Sequence, residues 1–230
     1  MRHGPGRGGN KVRSNRGELI HKIFNRLLDE FGPQGWWPAE TPFEVIVGAI
    51  LTQNTAWKNV KQCIKTLREG GYLTVEAMRQ LPVSDLAVLV RPSGYYNQKA
   101  RKLRVFCDHV ETEWQGDLEG FLSQEMEPLR RELLTIHGIG PETADSIVLY
   151  AAEKPSFVVD TYTYRIFSRH NWVMEGSSYN ELREYFMDVL EPDVGFFKEL
   201  HGLLVRTGHL YCRRKPLCES CPLQGWAGDD

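Results

Sequence analysis

Four groups of residues in this 230-residue chain could do chemistry by type and spacing. Asp160 follows the apolar run "SFVV" and precedes the helix-like "TYTYRIFSRH". A carboxylate there suits a helix N-cap, and a fixed carboxylate can also stabilise positive charge developing on a substrate. In "HGIGPE", residues 137–142, Gly138 and Gly140 let a chain reverse between two helices, and Pro141 suits the first turn of the second. The same turn lets a ligand approach the backbone, so the amides of Gly138, Ile139 and Gly140 could hold a phosphate. Glu142 lies in that first turn, where the helix dipole favours an acid by about 0.3 to 1 kcal/mol. Trp36, Trp37 and Pro38 share one loop and Trp57 ends "LTQNTAW"; such rings anchor a core or offer flat faces for stacking. Two adjacent tryptophans do not easily enter one core, so one is expected to face a cleft. His209, Cys212, Cys218 and Cys221 form H-x2-C-x5-C-x2-C, four soft or borderline metal donors.

The elements that must position these groups are helical. Trp57, Val60, Ile64 and Leu67 recur at spacings of three and four, which predicts a helix starting near Asn54 or Thr55. The same reasoning predicts helices over 17–31, 43–53, 74–80, 84–91, 97–113, 126–136, 141–152, 161–170, 178–190 and 193–209. Ser178 with Glu181 reads as a capping box, and Asp193 and Ser84 as N-caps. Only "SFVVD" reads as extended. The fold class is all-α, with two amphipathic helices, "RELLTI" and "ETADSIVLYAA", flanking the glycine turn.

Composition bounds the function. The hydrophobic share of 41% is that of a globular protein, and the most apolar stretch, Phe43 to Leu51, is too short to cross a bilayer. With no secretion signal, a cytoplasmic protein without a membrane partner is expected. A net charge of −2 does not exclude nucleic acid, because the cations are unevenly placed. They crowd residues 1–26, of which 1–16 read as a flexible basic tail, and return as Arg213, Arg214 and Lys215. Cys63 and Cys107 fall in helix-like segments and read as buried small residues.

"LLTIHGIGPETADSIVLYA" followed by "FVVDTYTYRI" resembles the helix-hairpin-helix and aspartate of the endonuclease III superfamily of DNA glycosylases. The resemblance continues in "PFEVIVGAILTQNTAWKNV", "SGYYNQKARKL" and "LHGLLVRTGHLYCRRKPLCESCPL", and covers most of residues 17–226. It implies two helical lobes: a six-helix barrel over 43–153 containing the hairpin 131–152, and a second lobe of 17–42 with 154–230 containing the cysteine loop 212–227. It also implies a cleft between them for double-stranded DNA, a flipped damaged nucleotide, and a monomeric enzyme. Gly138, Ile139 and Gly140 become the phosphate grip, and Asp160 the catalytic carboxylate.

The resemblance has two departures. Members that also cut the strand carry a lysine, which forms a Schiff base, where this chain has Glu142. A glycosylase without lyase activity is therefore expected. Trp-Trp-Pro ahead of "LTQNT" resembles the branch that excises 3-methyladenine, which assigns the base pocket to Trp37 and Trp57, with Trp36 and Pro38 in support. A cationic purine suits aromatic faces. Other bases, such as an oxidised pyrimidine or a mismatch, and a DNA-binding module without turnover stay open as alternatives. No cofactor is needed for the chemistry. The family's [4Fe–4S] loop has a fourth cysteine where Ala227 stands. The open options are three cysteines with a substitute such as Asp229 or Asp230, a zinc ion on His209 and the cysteines, or no metal.

Overall fold

A computed structural model describes residues 8–226, with side chains from residue 15. Residues 1–7 of the expected tail, and Ala227, Asp229 and Asp230, lie outside the described residues. The α-helices are α1 (Gly8–Phe31), α2 (Pro42–Leu51), α3 (Trp57–Glu69), α4 (Val75–Gln80), α5 (Val83–Leu89), α6 (Tyr96–Trp114), α7 (Leu118–Ser123), α8 (Met126–Thr135), α9 (Pro141–Ser146), α10 (Thr161–Arg169), α11 (Tyr179–Met187) and α12 (Val194–Leu210). Among the described residues there is no strand, so the fold is all-α, and "SFVVD" carries no regular structure.

The chain divides into two compact units. One is Trp37–Ser156; the other joins Met1–Trp36 to Phe157–Asp230. The division falls between Trp36 and Trp37, so the adjacent tryptophans belong to different units.

In Trp37–Ser156, α2 is the central helix. Phe43 to Leu51 are all buried, as expected of a helix apolar on every side. Thr41 caps it by accepting a hydrogen bond from the Glu44 amide, and Pro42 fills the first turn. Glu44 is buried too, and Arg68 of α3 binds its Oε1 at 2.6 Å. α8 and α9 form the hairpin. The Arg130 guanidinium donates to both oxygens of the fully buried Asp145, at 2.8 and 3.0 Å, and the Ser156 hydroxyl also donates to Asp145. This fork ties the two arms together without leaving a buried charge unpaired.

Two local expectations are corrected. α5 is capped by Pro82, and Ser84 lies inside it, its hydroxyl on Asp85. The proline fixes the backbone two residues earlier than the serine suggests. The helix expected over 141–152 changes type: α9 passes into a π-helical turn, Ile147–Ala151, with the Ala152 amide on the Ile147 carbonyl at 3.0 Å. Ser178 and Asp193 do cap α11 and α12, Ser178 with a complete capping box.

In the other unit, α10 and α12 pack against one another and α1 lies on α12. Phe157 stacks on Phe186 at 4.0 Å, and Phe167 and Phe197 complete a buried aromatic core. Helix α1 begins at Gly8, upstream of the start expected at residue 17.

Candidate active site

Asp160 stands at the N-cap of α10. Its Oδ1 accepts a hydrogen bond from the Thr163 amide at 2.7 Å, and its Oδ2 lies 3.9 Å from Nε2 of His201 on α12. The Asp160 side chain keeps 13% of its surface accessible. His201 is 4% exposed. Burial pushes the His201 imidazole below its usual range, and the nearby Asp160 charge only partly opposes this. The histidine beside the carboxylate is therefore neutral at pH 7.

The aromatic group forms within Trp37–Ser156. The Trp37 ring meets Trp57 edge-on, with centroids 5.1 Å apart and planes at 84°, and meets Tyr150 at 5.4 Å. These geometries are those of favourable ring pairs. Gly48 of α2 makes room for them: a Cβ there would lie 3.1 Å from Trp37 Cζ2. Trp37 and Trp57 thus come together, and Tyr150, on the buried π turn, joins them. Pro38 is exposed. Trp36 packs in the other unit, where a Cβ on Gly202 would lie 3.1 Å from its Cβ.

At the hairpin, Gly138 has φ +93°, a conformation that glycine tolerates best. The Ile139 amide donates to the Ile136 carbonyl at 3.0 Å, and the Ile139 side chain is buried. One of the three amides expected to face a phosphate is thus engaged inside the turn. Gly140 is ordinary in φ, at −93°, with open space where a Cβ would be. Gln53 donates to the Gly138 carbonyl at 3.2 Å and to the Thr143 hydroxyl at 3.0 Å, and its own Oε1 accepts from Lys102. The network joins "LTQNT" to the hairpin and brings an ammonium beside it. Glu142 occupies the first turn of α9, as expected.

Sequence reasoning missed His201, Tyr150, Gln53 and Lys102. A histidine or lysine on an amphipathic helix carries no mark of its distant partner. A cavity of about 590 Å³ elsewhere in Trp37–Ser156, lined by Glu76, Arg79, Arg104, Asp108 and Glu111, includes none of the expected site residues.

The cysteines do not form the expected donor set. Cys212 is buried and its Sγ accepts from Arg169 at 3.4 Å, Cys218 is exposed, and Cys221 is partly buried. Burial pushes the Cys221 thiol up, with smaller contributions from Cys212 and Cys218. His209 is exposed at the end of α12. Among the described residues no three His, Cys, Asp or Glu side chains are grouped to hold a metal ion. Among the described residues, three loop cysteines with no fourth thiol do not complete the four-thiolate set of a cluster, and no three donors are grouped for zinc.

Residues 47–192 match the HhH-GPD superfamily of base excision DNA repair proteins. A Methanocaldococcus jannaschii protein whose naming as a DNA repair glycosylase is provisional is 44% identical over 215 residues, covering 93% of this chain and 97% of its own. Endonuclease III of Thermotoga maritima is 31% identical over 207 residues, covering 90% and 91%. Among solved structures, the 3-methyladenine DNA glycosylase MagIII of H. pylori bound to 1,N6-ethenoadenine superposes with a TM-score of 0.72 at 30% identity, covering 84% of this chain and 97% of its own. A non-covalent endonuclease III–DNA complex shares the fold, with a TM-score of 0.79 at 23% identity and coverage of 92% and 95%. The chain belongs to the HhH-GPD superfamily of base excision DNA repair proteins.

Proposed function

We propose that this chain is a monofunctional DNA glycosylase that hydrolyses the N-glycosidic bond of an alkylated purine such as 3-methyladenine, leaving an abasic site in an intact strand. On this reading it works as a monomer on cytoplasmic double-stranded DNA. Asp160 stabilises the positive charge that forms on the sugar as the base departs, and helps orient water. Its two oxygens have different duties: Oδ1 holds the helix start, and Oδ2 lies beside neutral His201. Trp37 and Trp57, backed by Tyr150, receive the flipped base, whose positive charge favours aromatic faces and already weakens the bond to be broken. The amides of Gly138 and Gly140, with Lys102 close by, hold a backbone phosphate; such contacts position the duplex without reading its sequence.

The observation that carries the absence of strand cutting is Glu142, whose carboxylate stands in the first turn of α9 where a lyase would present an amine. A carboxylate forms no Schiff base. The H. pylori relative, a 3-methyladenine glycosylase solved with an etheno-purine, supports the purine assignment. The T. maritima endonuclease III relative favours a second reading, a glycosylase for another base. Chromatography of bases released from alkylated DNA, beside electrophoresis of the strands with and without alkali, separates the two. Release of 3-methyladenine with alkali-dependent breaks supports the first; release of another base alone, or spontaneous breaks, refutes it.

A further inference from the structure

We infer that Arg169, the last residue of α10, organises residues 212–226 in place of a metal centre. The guanidinium reaches three acceptors on the loop. Nη1 donates to Cys212 Sγ at 3.4 Å and to the Arg213 carbonyl at 2.7 Å, and Nη2 donates to the Arg214 carbonyl at 3.3 Å. The guanidinium hydrogen-bonded to Cys212 Sγ sets a positive charge beside that sulfur, and a metal cation bound there would be repelled by it. The sulfur therefore serves the arginine.

The neighbours of Arg169 act in the same direction. Arg165, one helical turn earlier on the same face, donates to the Cys212 carbonyl at 2.9 Å. His170, just past the helix, is bonded through Nδ1 to the Trp226 carbonyl at the far end of the segment. Three consecutive loop carbonyls, of Cys212, Arg213 and Arg214, are thus satisfied from the C-terminal half of α10. Internal bonds close the rest, from the Leu217 amide to the Tyr211 carbonyl at 2.9 Å and from the Gln224 amide to the Cys221 carbonyl at 2.9 Å. A planar fork with five donors can bridge several acceptors, whereas a lysine ammonium is a point charge without that reach. The side chains of Arg213, Arg214 and Lys215 are exposed.

The test uses the full-length protein, purified anaerobically, as wild type, Arg169→Ala, Arg169→Lys and the double variant Cys218→Ser/Cys221→Ser. Iron and zinc are measured by elemental analysis. Opening of the loop is measured by limited thermolysin digestion, followed by mass spectrometry at Leu210, Leu217 and Leu223. The expected result is wild-type protein with far less than one metal per chain. Cleavage in the segment should be about tenfold faster in Arg169→Ala, intermediate in Arg169→Lys, and within about twofold of wild type in the cysteine variant. Should Arg169→Ala not fold, Arg169→Lys, the cysteine variant and the metal content carry the test. A stoichiometric metal whose loss in the cysteine variant opens the segment overturns the inference, as does wild-type protection in both arginine variants.

Discussion

Nε2 of His201 stands 3.9 Å from Oδ2 of Asp160, while the Thr163 amide holds Oδ1 of the same carboxylate at 2.7 Å. One side chain thus starts a helix and presents a charge, and substitution can separate these roles. Asparagine caps helices as well as aspartate does. Asp160→Asn is expected to leave the melting temperature nearly unchanged and DNA affinity intact, while base release falls about 10²- to 10³-fold. Asp160→Ala loses the cap as well, at a cost of about 1 kcal/mol. Single-turnover kinetics and thermal melts of the two variants check this. Equal base release by wild type and Asp160→Asn would leave Asp160 a cap only.

His201 gives a pH signature. Burial lowers its folded pKa below the ordinary 6.5, so between that value and the depressed one the unfolded chain binds more protons. Its contribution to stability is full above about pH 6.5 and is lost as pH falls through that window. Denaturant titrations at pH 7.5 and pH 5.5 are expected to show a smaller loss of stability on acidification in His201→Gln than in wild type. Equal losses would contradict the assignment of a neutral buried imidazole.

The aromatic trio makes a prediction about selectivity. A desolvated cation–π contact is worth about 2 kcal/mol, or roughly thirtyfold in rate. Trp37→Leu keeps bulk beside Gly48 but removes the π face, and should slow release of cationic 3-methyladenine by about that factor while affecting a neutral substrate base much less. Parallel rates on the two substrates measure it. An equal slowing of both would make the ring a packing element alone.

Much of this was legible from residue order. The strongly apolar stretch from Phe43 to Leu51, broken only by Glu44, could only be a buried element, and the glycines between two amphipathic stretches had to be a hairpin. Asp160 was readable as a cap because the next helix needed an acceptor at that point. Other features depend on contacts far along the chain. Tyr150 meets Trp37 across more than a hundred residues, and the π turn that carries it has the same apolar pattern as an ordinary α-helix. The six-residue helix α7, started by Asp117, is missing from the helices expected from sequence. Trp36 and Trp37 read as a pair from sequence, but the boundary between the two compact units separates them.

The hairpin can be tested through Gly138. An alanine there takes an unfavourable φ of +93°, and its Cβ would lie 2.5 Å from Cγ of Lys102. Gly138→Ala is expected to cost about 1 to 3 kcal/mol of stability and to weaken duplex binding. The double variant Gly138→Ala/Lys102→Ala should recover the steric share and keep the backbone share. Chemical denaturation across this cycle reads the coupling. Strict additivity would show that the Lys102 stem does not press on the turn.

Base removal that leaves the strand whole is the proposed reaction. Its most direct test is incubation of the protein with a duplex carrying a labelled alkylated-purine strand, with and without borohydride, followed by electrophoresis before and after alkali. A monofunctional glycosylase yields free 3-methyladenine, full-length strand before alkali, cleavage after it, and no protein trapped on DNA. Strand breaks without alkali, or a borohydride-trapped protein–DNA complex, would contradict it.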